Sequence, residues 1–415
     1  MANVLLTPKI YVNTMLALLK NQLVMGKLVD TELKDIQVSE KTGATVYVKR
    51  PPEFVLRSGA QANVQNVIQG DAPVTINNQS GVDVKFTDLE LVTSLDALGK
   101  SSVMKSAAAT MAQGIDAAIM AKVLEFPSWV GTPGQTINSV SDFFQAPQRL
   151  DELAVPQDSR NAVLAPTDYW AQAGAMTALY QYNGDVANDA LKKARLPIQG
   201  NVDAYQSQNV PNLVMGTRAA SGASQVDGAN QNVAYTSVNS GLNAYTQQLN
   251  IKGLTSGHTI KAGEVFSIAG VYAVNPRSKA AQTFNAQFVV LEDATADGAG
   301  KATLRIANPI IIDGAYQTVD AAPLDSANIT WMGTASTGYR QNAVFHKSAI
   351  KLVFARPVMP STGVAAYATD PTSGITIRYW QFSDGLTDEH YHRWDYIIGV
   401  ANTDRRLGTR VSGTP

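Results

Sequence analysis

The chain has 415 residues, of which 45% are hydrophobic and only 16% charged, with a formal net charge of −1. That length allows roughly two or three domains, and near-neutrality excludes a field strong enough to gather nucleic acid or anionic membrane. The absence of cysteine excludes disulfides, thiol catalysis and Cys-based zinc sites.

No apolar run reaches the length needed to cross a bilayer. The opening "MANVLLTPKIYVNTMLALLKNQLVMG" is broken by Asn13, Thr14 and Lys20 and lacks a small-residue cleavage site, so it does not read as an export signal. Val12, Leu16, Leu19 and Leu23 instead share one helical face, which predicts an amphipathic helix stopped near Gly26. After a charged connector the period becomes two: "ATVYVKRP" alternates around Val46 and Val48, and "GVDVKFT" around Val82, Val84 and Phe86. The long stretch between them, "PEFVLRSGAQANVQNVIQGDAP", is expected to reach outward as an extended β-arm.

From about Ser94 to Phe126 there is no proline and alanine dominates, which predicts one long helix weakened at Gly99 and Gly114. An α/β stretch follows. "SDFFQAPQRLDELAVP" reads as a helix ended by Pro156, "RNAVLAP" as a strand, and "TDYWAQAGAMTALYQ" as a helix capped by Thr167 or Asp168. "NGDVANDALKKARLPIQGNVDAY" adds a helical piece and a turn at Gly200. From Ala219 to Ile251 the only charge is Asp227, and β patterns then take over, with two strands expected around an Asp297–Gly300 turn. Residues 218–335 therefore read as a separate β module inside a discontinuous α/β host.

The richest cluster of chemistry lies in "TDEHYHRWDYIIG". A strand there would put His390, His392, Trp394 and Tyr396 on one face, and Tyr391, Arg393 and Asp395 on the other. Two histidines at i and i+2 can share a metal, with Asp388, Glu389 or His346 as further ligands, yet zinc needs at least a third and nothing in the spacing demands it. A polar or paired strand face is the plainer reading. "ADGAGKAT" fails as a phosphate loop: Thr295 and Ala302 stand where glycine and a hydroxyl are required. No nucleophile elbow, zincin or dinucleotide motif occurs. No catalytic residue, metal site or cofactor is expected. Among the basic residues, Lys49, Arg50 and Arg57 sit with Glu53 on the β-arm. They are expected to contact a neighbouring subunit, because a projecting arm has little within its own chain to pair with. Arg405, Arg406 and Arg410, near the end of the chain, receive no role.

The order of parts resembles the major capsid proteins of tailed phages with the Hong Kong-type fold, and more closely the short-tailed-phage coats that carry a telokin-like inserted domain. "VPQDSRNAVLAPTDYWAQAG" is similar to that family's helix, Arg-containing strand and Pro-x-x-Tyr helix start. "GNVDAYQSQNVPNL" resembles the strand leading to the insertion, and "TIKAGEVFSIAGVYAVNPRSKAAQTFNAQFVV" its strands, with a Lys-x-Gly-Glu turn at Lys261 to Glu264. "AVFHKSAIKLV" resembles the re-entry segment.

The resemblance implies an α+β fold: N-terminal arm (1–42), β-arm and peripheral strands (43–92), spine helix (93–127), axial domain (128–217), inserted β domain (218–335), and a return to the axial and peripheral domains (336–415). Both arms would reach neighbours. It further implies a virion protein, assembled in the host cytoplasm from many copies of itself as pentamers and hexamers. Scaffolding protein and portal would assist, around double-stranded DNA contacted non-specifically. Two departures stand out: "AYTSVNSGLNAYTQQL" lacks the charge that bridges capsomers in some relatives, and nothing marks a maturation protease site or an isopeptide partner. The rival readings are an encapsulin-type nanocompartment shell and a metal-dependent enzyme using His390 and His392. An adhesin-like β protein is disfavoured by the long Ala-rich helix and the missing export signal.

Overall fold

The computed structural model describes residues 8–31, 45–62, 64–67, 69–87, 102–176, 196, 198–235, 245–371, 373–384 and 389–415. They form two units. The first comprises Met1–Tyr47, Pro73–Ile119 and Ile350–Ala401, and the second Val48–Ala72, Met120–Ala349 and Asn402–Pro415.

The first unit contains helices α1 (Pro8–Gln22) and α2 (Met25–Leu28), strands β1 (Thr45–Lys49) and β2 (Asp71–Thr87), and most of the long helix α3 (Ser102–Ala121). Helix α3 passes into a 3-10 turn at Lys122–Glu125, while residues 94–101 lie outside the described chain. Strands β17 (Ile350–Ala355), β18 (Val364–Thr369), β19 (Thr376–Asp384) and β20 (Glu389–Asn402) complete a sheet of order β1-β2-β20-β19-β18, with β17 also on β20. Strand β2 begins well before the alternating "GVDVKFT": Ile76 and Asn78–Ser80 also pair with β20, with a register shift between Ile76 and Asn78.

Helix α1 buries Val12, Met15 and Leu19, so Met15 takes the place expected for Leu16. It packs on β18 and β19, where Tyr11 meets the Tyr379 ring at 5.8 Å. Behind it the buried Asp116 of α3 accepts from Val24 N at 2.9 Å and Gly26 N at 3.1 Å. Burial raises the Asp116 pKa, and these backbone donors oppose that rise. Asp30 lies beside Lys351 of β17, buried and ion-paired. The described part of the expected N-terminal arm is thus docked on its own unit by an apolar helix face and a buried carboxylate.

In the second unit, β3 (Ser128–Val130), β4 (Arg160–Leu164), β5 (Val202–Gln206), β16 (Asn342–His346) and β21 (Gly408–Val411) form a five-stranded sheet of order β3-β21-β16-β4-β5. Helices α4 (Val140–Glu152) and α5 (Pro166–Ala175) belong to the same core: Phe143, Ala146 and Leu150 cluster with Tyr169, Leu164 and Val344. Ser139 caps α4 by accepting from Asp142 N at 3.1 Å. Helix α5 starts at Pro166, before either expected cap, and the fixed φ of proline suits a first helical position. Neither Thr167 nor Asp168 caps it. The Asp168 carboxylate instead accepts from Ile137 N and Asn342 Nδ2 and pairs with Arg340.

The same unit holds a six-stranded sheet made from β7 (Gln225–Val226), β8 (Thr246–Lys252), β10 (Val265–Val274), β11 (Ala281–Val290), β13 (Ala302–Ala307) and β14 (Ile329–Trp331), in the order β14-β10-β11-β13-β8-β7. Short pairs form between β9 (Thr259–Ile260) and β12 (Ala294–Thr295), and between β6 (Asn212–Val214) and β15 (Gly338–Arg340). The Asp297 turn is present, its carboxylate accepting from Ala299 N and Lys301 N. The strands beside it pair elsewhere, β12 with β9 and β13 with β8 and β11. Phe266, Ile268, Phe288, Leu304, Ile306 and Trp331 fill this sheet's own core.

The two sheets of this unit share a second apolar cluster of Trp129, Leu213, Met215, Val265, Val289 and Tyr339. A polar joint lies beside it. Within the Lys261–Glu264 turn, Gly263 adopts φ +94°, and the fully buried Glu264 accepts from Lys261 N (2.9 Å), Gly216 N (2.7 Å) and Arg218 Nε. Arg410 of β21, also fully buried, donates to Gly263 O (2.7 Å), Gln341 Oε1 (3.0 Å) and Leu124 O. Burial lowers its pKa to about 9, so it keeps its charge at neutral pH.

Removing one partner of a buried pair strands the other charge and costs about 3–5 kcal/mol. Glu264→Ala is therefore expected to lower stability by that amount in urea unfolding of the unassembled chain. Glu292→Ala, which deletes the exposed pair with Arg305, should cost under about 1 kcal/mol.

Candidate assembly surfaces

The β-arm belongs to the second unit and is closed at its root by Arg50 N donating to Gly70 O at 2.9 Å. Between them no regular strand forms among the described residues. Side chains do the pairing instead: Gln65 accepts from Val55 N (2.8 Å) and donates to Val55 O (2.6 Å), and Gln69 donates to Arg50 O at 2.7 Å. Near the tip, Arg57 donates to Gly59 O (2.5 Å) and Gln61 O (3.0 Å). The arm exposes Phe54, Leu56 (92%), Val64 (89%) and Val67, an apolar display that the folded subunit does not cover.

The root of the arm is polar and largely buried. Arg50 is buried, and its Nε donates to Thr403 O at 2.8 Å. Glu53 accepts from Arg406 at 2.7 Å and from Lys279 at 3.4 Å, while its own N–H donates to the Tyr316 hydroxyl. Arg406 is also held by Asp404 at 2.7 Å, and both Arg50 and Arg406 stand over the Tyr245 ring, at 5.3 and 4.9 Å. Tyr235 stacks on Tyr316 with ring centroids 3.9 Å apart. Gly70 is required here, because a Cβ would lie 1.9 Å from the Tyr235 hydroxyl.

Burial lowers the pKa of Arg50 and of Lys279. Burial works against ionising Asp404, but Arg406 outweighs it and holds that carboxyl below the usual range. Glu125 is likewise opposed by burial and held down by Arg405 and Lys122.

The four residues expected to contact a neighbour therefore divide. Lys49 and Arg57 are exposed. Arg50 and Glu53 are engaged within their own chain, which overturns the premise that the arm has little there to pair with. The partners were hidden in the sequence: Lys279 and Arg406 lie 226 and 353 residues from Glu53. Only the dipeptide Arg405–Arg406 directly after Asp404 hinted at a charged turn.

The histidine strand folds as its alternation predicts, with His392, Trp394 and Tyr396 buried together. His392 Nδ1 lies 2.6 Å from the Tyr379 hydroxyl, and His390 Nδ1 lies 2.7 Å from Ser383 Oγ. Asp395 is buried on the opposite face against Arg378 and Arg393. His346 Nδ1 meets Ser348 Oγ at 2.7 Å, and Asp388 lies outside the described residues. Among the described residues no three His, Asp or Glu side chains gather as metal ligands.

Comparison with known proteins assigns the chain to a family. Residues 2–413 match the family described as "P22 coat protein - gene protein 5". The chain belongs to that family. It is a phage major capsid protein that builds the icosahedral head from many copies of itself. The major capsid protein of Acyrthosiphon pisum secondary endosymbiont phage 1 is 22% identical over 417 residues, covering 95% of each chain. Among solved structures, that of Mycobacterium phage Che8 aligns over 94% of this chain and 90% of its own, with 12% identity and a TM-score of 0.47. The CUS-3 coat protein I-domain aligns over 28% of this chain and all of its own, with 24% identity and a TM-score of 0.20. The family is one of structural proteins. The encapsulin-type shell and the His390–His392 metal enzyme are left without support.

The depressed pKa values set an acid limit on the arm root. A carboxylate whose folded pKa lies below its unfolded value stabilises the fold above the unfolded value, and that contribution is lost as pH falls through the folded one. Unfolding midpoints should therefore drop as pH falls below about 4, the ordinary carboxylate range. Asp404→Asn should flatten that drop while lowering stability at pH 7. Urea titrations between pH 7 and pH 3 check both.

Proposed function

We propose that the head built by this chain encloses double-stranded DNA and is assembled in the host cytoplasm with the aid of a scaffolding protein and a portal. Near-neutral net charge favours a wall that confines DNA without gripping it, since tight phosphate binding needs many cations released from one face. Residues 218–335 act as the inserted telokin-like domain, and residues 43–92 include the arm that lies on a neighbouring copy.

The observation that carries this reading is the arm itself, with Leu56 and Val64 almost fully exposed above a root held by Arg50 and Glu53. Lys49 and Arg57 are the arm's contacts to the next subunit. Arg50 and Glu53 serve the same interface by fixing the direction from which the arm leaves. Low charge across the chain suits subunits that bury much of their surface against each other, because interface cores are depleted in charge.

Electron microscopy of the purified chain, expressed alone and with its genomic neighbours, tests the reading. Closed shells or large polymers are expected, and a uniform monomer or dimer in both preparations would contradict it. Lys49→Ala and Arg57→Ala should each keep the wild-type melting temperature yet reduce the yield of closed shells several-fold. Unchanged yield in both variants would remove these residues from the interface.

A further inference from the structure

A cavity of about 40 Å³ lies in the second unit where the six-stranded sheet meets helix α4. Arg149 and Leu153 line it from the end of the helix, Val274 and Phe284 from β10 and β11, and Asn308 and Arg406 complete it. The strands are pinned to the helix beside it. Arg149 stacks over the Phe284 ring at 3.6 Å, and Asn275 Nδ2 donates to Glu152 O at 3.0 Å.

Two of the lining residues each keep one buried polar atom without a hydrogen-bond partner among the described residues: Asn308 Oδ1, an acceptor, and Arg406 Nη1, a donor. Leaving such atoms unsatisfied is costly, and buried polar atoms in folded proteins are nearly always paired. The remainder of the Arg406 guanidinium is already engaged. Its Nη2 donates to Glu53 Oε1 and Asp404 Oδ2, both at 2.7 Å, and its Nε to Asp404 Oδ1 at 3.1 Å. One face of the cavity is therefore the same side chain that holds the root of the β-arm.

Size and charge name the ligand. A water needs roughly 10–15 Å³ of such space, so the cavity has room for about three. An ion is not called for, because Arg406 already faces Glu53 and Asp404, and Arg149 pairs with Glu152 at 3.2 Å. What fits is a small neutral molecule that accepts from the guanidinium and donates to the amide oxygen.

We propose that this cavity is a water-binding site, in which an ordered water accepts from Arg406 Nη1 and donates to Asn308 Oδ1, making Asn308 a positioning residue for the arm root. A bridging water is nearly as good as a direct hydrogen bond. The arm is then tied to the six-stranded sheet in two ways, through the Glu53–Lys279 pair and through solvent held by Asn308, which directly follows β13. Asn308 also adopts φ +66°, a left-handed conformation that asparagine tolerates, so its side chain and its backbone have to be tested separately.

Two measurements do this. A density map of the wild-type chain, fine enough to show ordered waters, should contain a solvent peak within about 3 Å of both Asn308 Oδ1 and Arg406 Nη1. An empty cavity, or a protein acceptor on Arg406 Nη1, would overturn the water site whatever the variants do. Hydrogen exchange in the unassembled subunit reads the positioning role. Asn308→Gly permits the left-handed backbone but deletes the acceptor, whereas Asn308→Asp keeps both. Peptides spanning residues 48–55 should exchange about fivefold faster in Asn308→Gly, the usual net worth of one hydrogen bond, and at close to the wild-type rate in Asn308→Asp. Circular dichroism should be unchanged in both. Wild-type exchange in Asn308→Gly, or equal acceleration in the two variants, would remove Asn308 from the arm root.

Discussion

Arg410 is the residue on which the second unit turns. Its guanidinium, with no carboxylate partner among the described residues, donates to Leu124 O after the long helix, Gly263 O in the turn before β10, and Gln341 on the approach to β16. Stretches 69, 147 and 286 residues from Arg410 along the chain are thereby tied to the last strand. A buried cation is costly unless its hydrogen bonds are met. Loosening any one of these stretches would expose that cost, so they are held together. Glu264 and Arg218 repeat the arrangement a few residues away, this time as a buried ion pair. The strand entry at Val265 and the five-stranded sheet are consequently one packed body, sharing Trp129, Val265 and Val289 in a common cluster.

The β-arm depends on the same body. Its root partners come from the far end of the chain (Thr403, Asp404 and Arg406) and from Lys279 and Tyr316, which flank the six-stranded sheet. An extended segment cannot hold a direction by itself, because it has no core of its own. Here direction comes from a carboxylate shared by two cations and from two guanidiniums standing over one tyrosine. Phe54, Leu56, Val64 and Val67 thus stand exposed on a segment whose root is already ordered.

Much of the fold could be read from residue patterns. The period-two runs at Val46–Val48 and Val82–Val84 became β1 and the end of β2, and the alanine run became α3. The alternation through His392, Trp394 and Tyr396 became a buried strand face. Patterns failed where a side chain answers to a distant partner. Asp168 looked like a cap and instead joins Ile137, Arg340 and Asn342. The polar residues Asn78–Ser80 gave no alternation to read, although their backbone pairs with β20. The arm root was the least legible part of all. Arg50 and Glu53 were visible as charges on an arm, but no local spacing announces Tyr245, Lys279 or Arg406 as their partners.

Hydrogen exchange in the unassembled subunit tests most directly the claim that the arm is rooted before assembly. The amide of Arg50 donates to Gly70 O behind the Glu53–Arg406 pair, so peptides spanning residues 48–55 should be strongly protected. That protection should fall by an order of magnitude or more in Arg406→Ala, with protection of the five-stranded sheet largely retained. Exchange of those peptides at the unfolded rate in the wild-type subunit would contradict the account, because the arm would then gain its direction only from its neighbours.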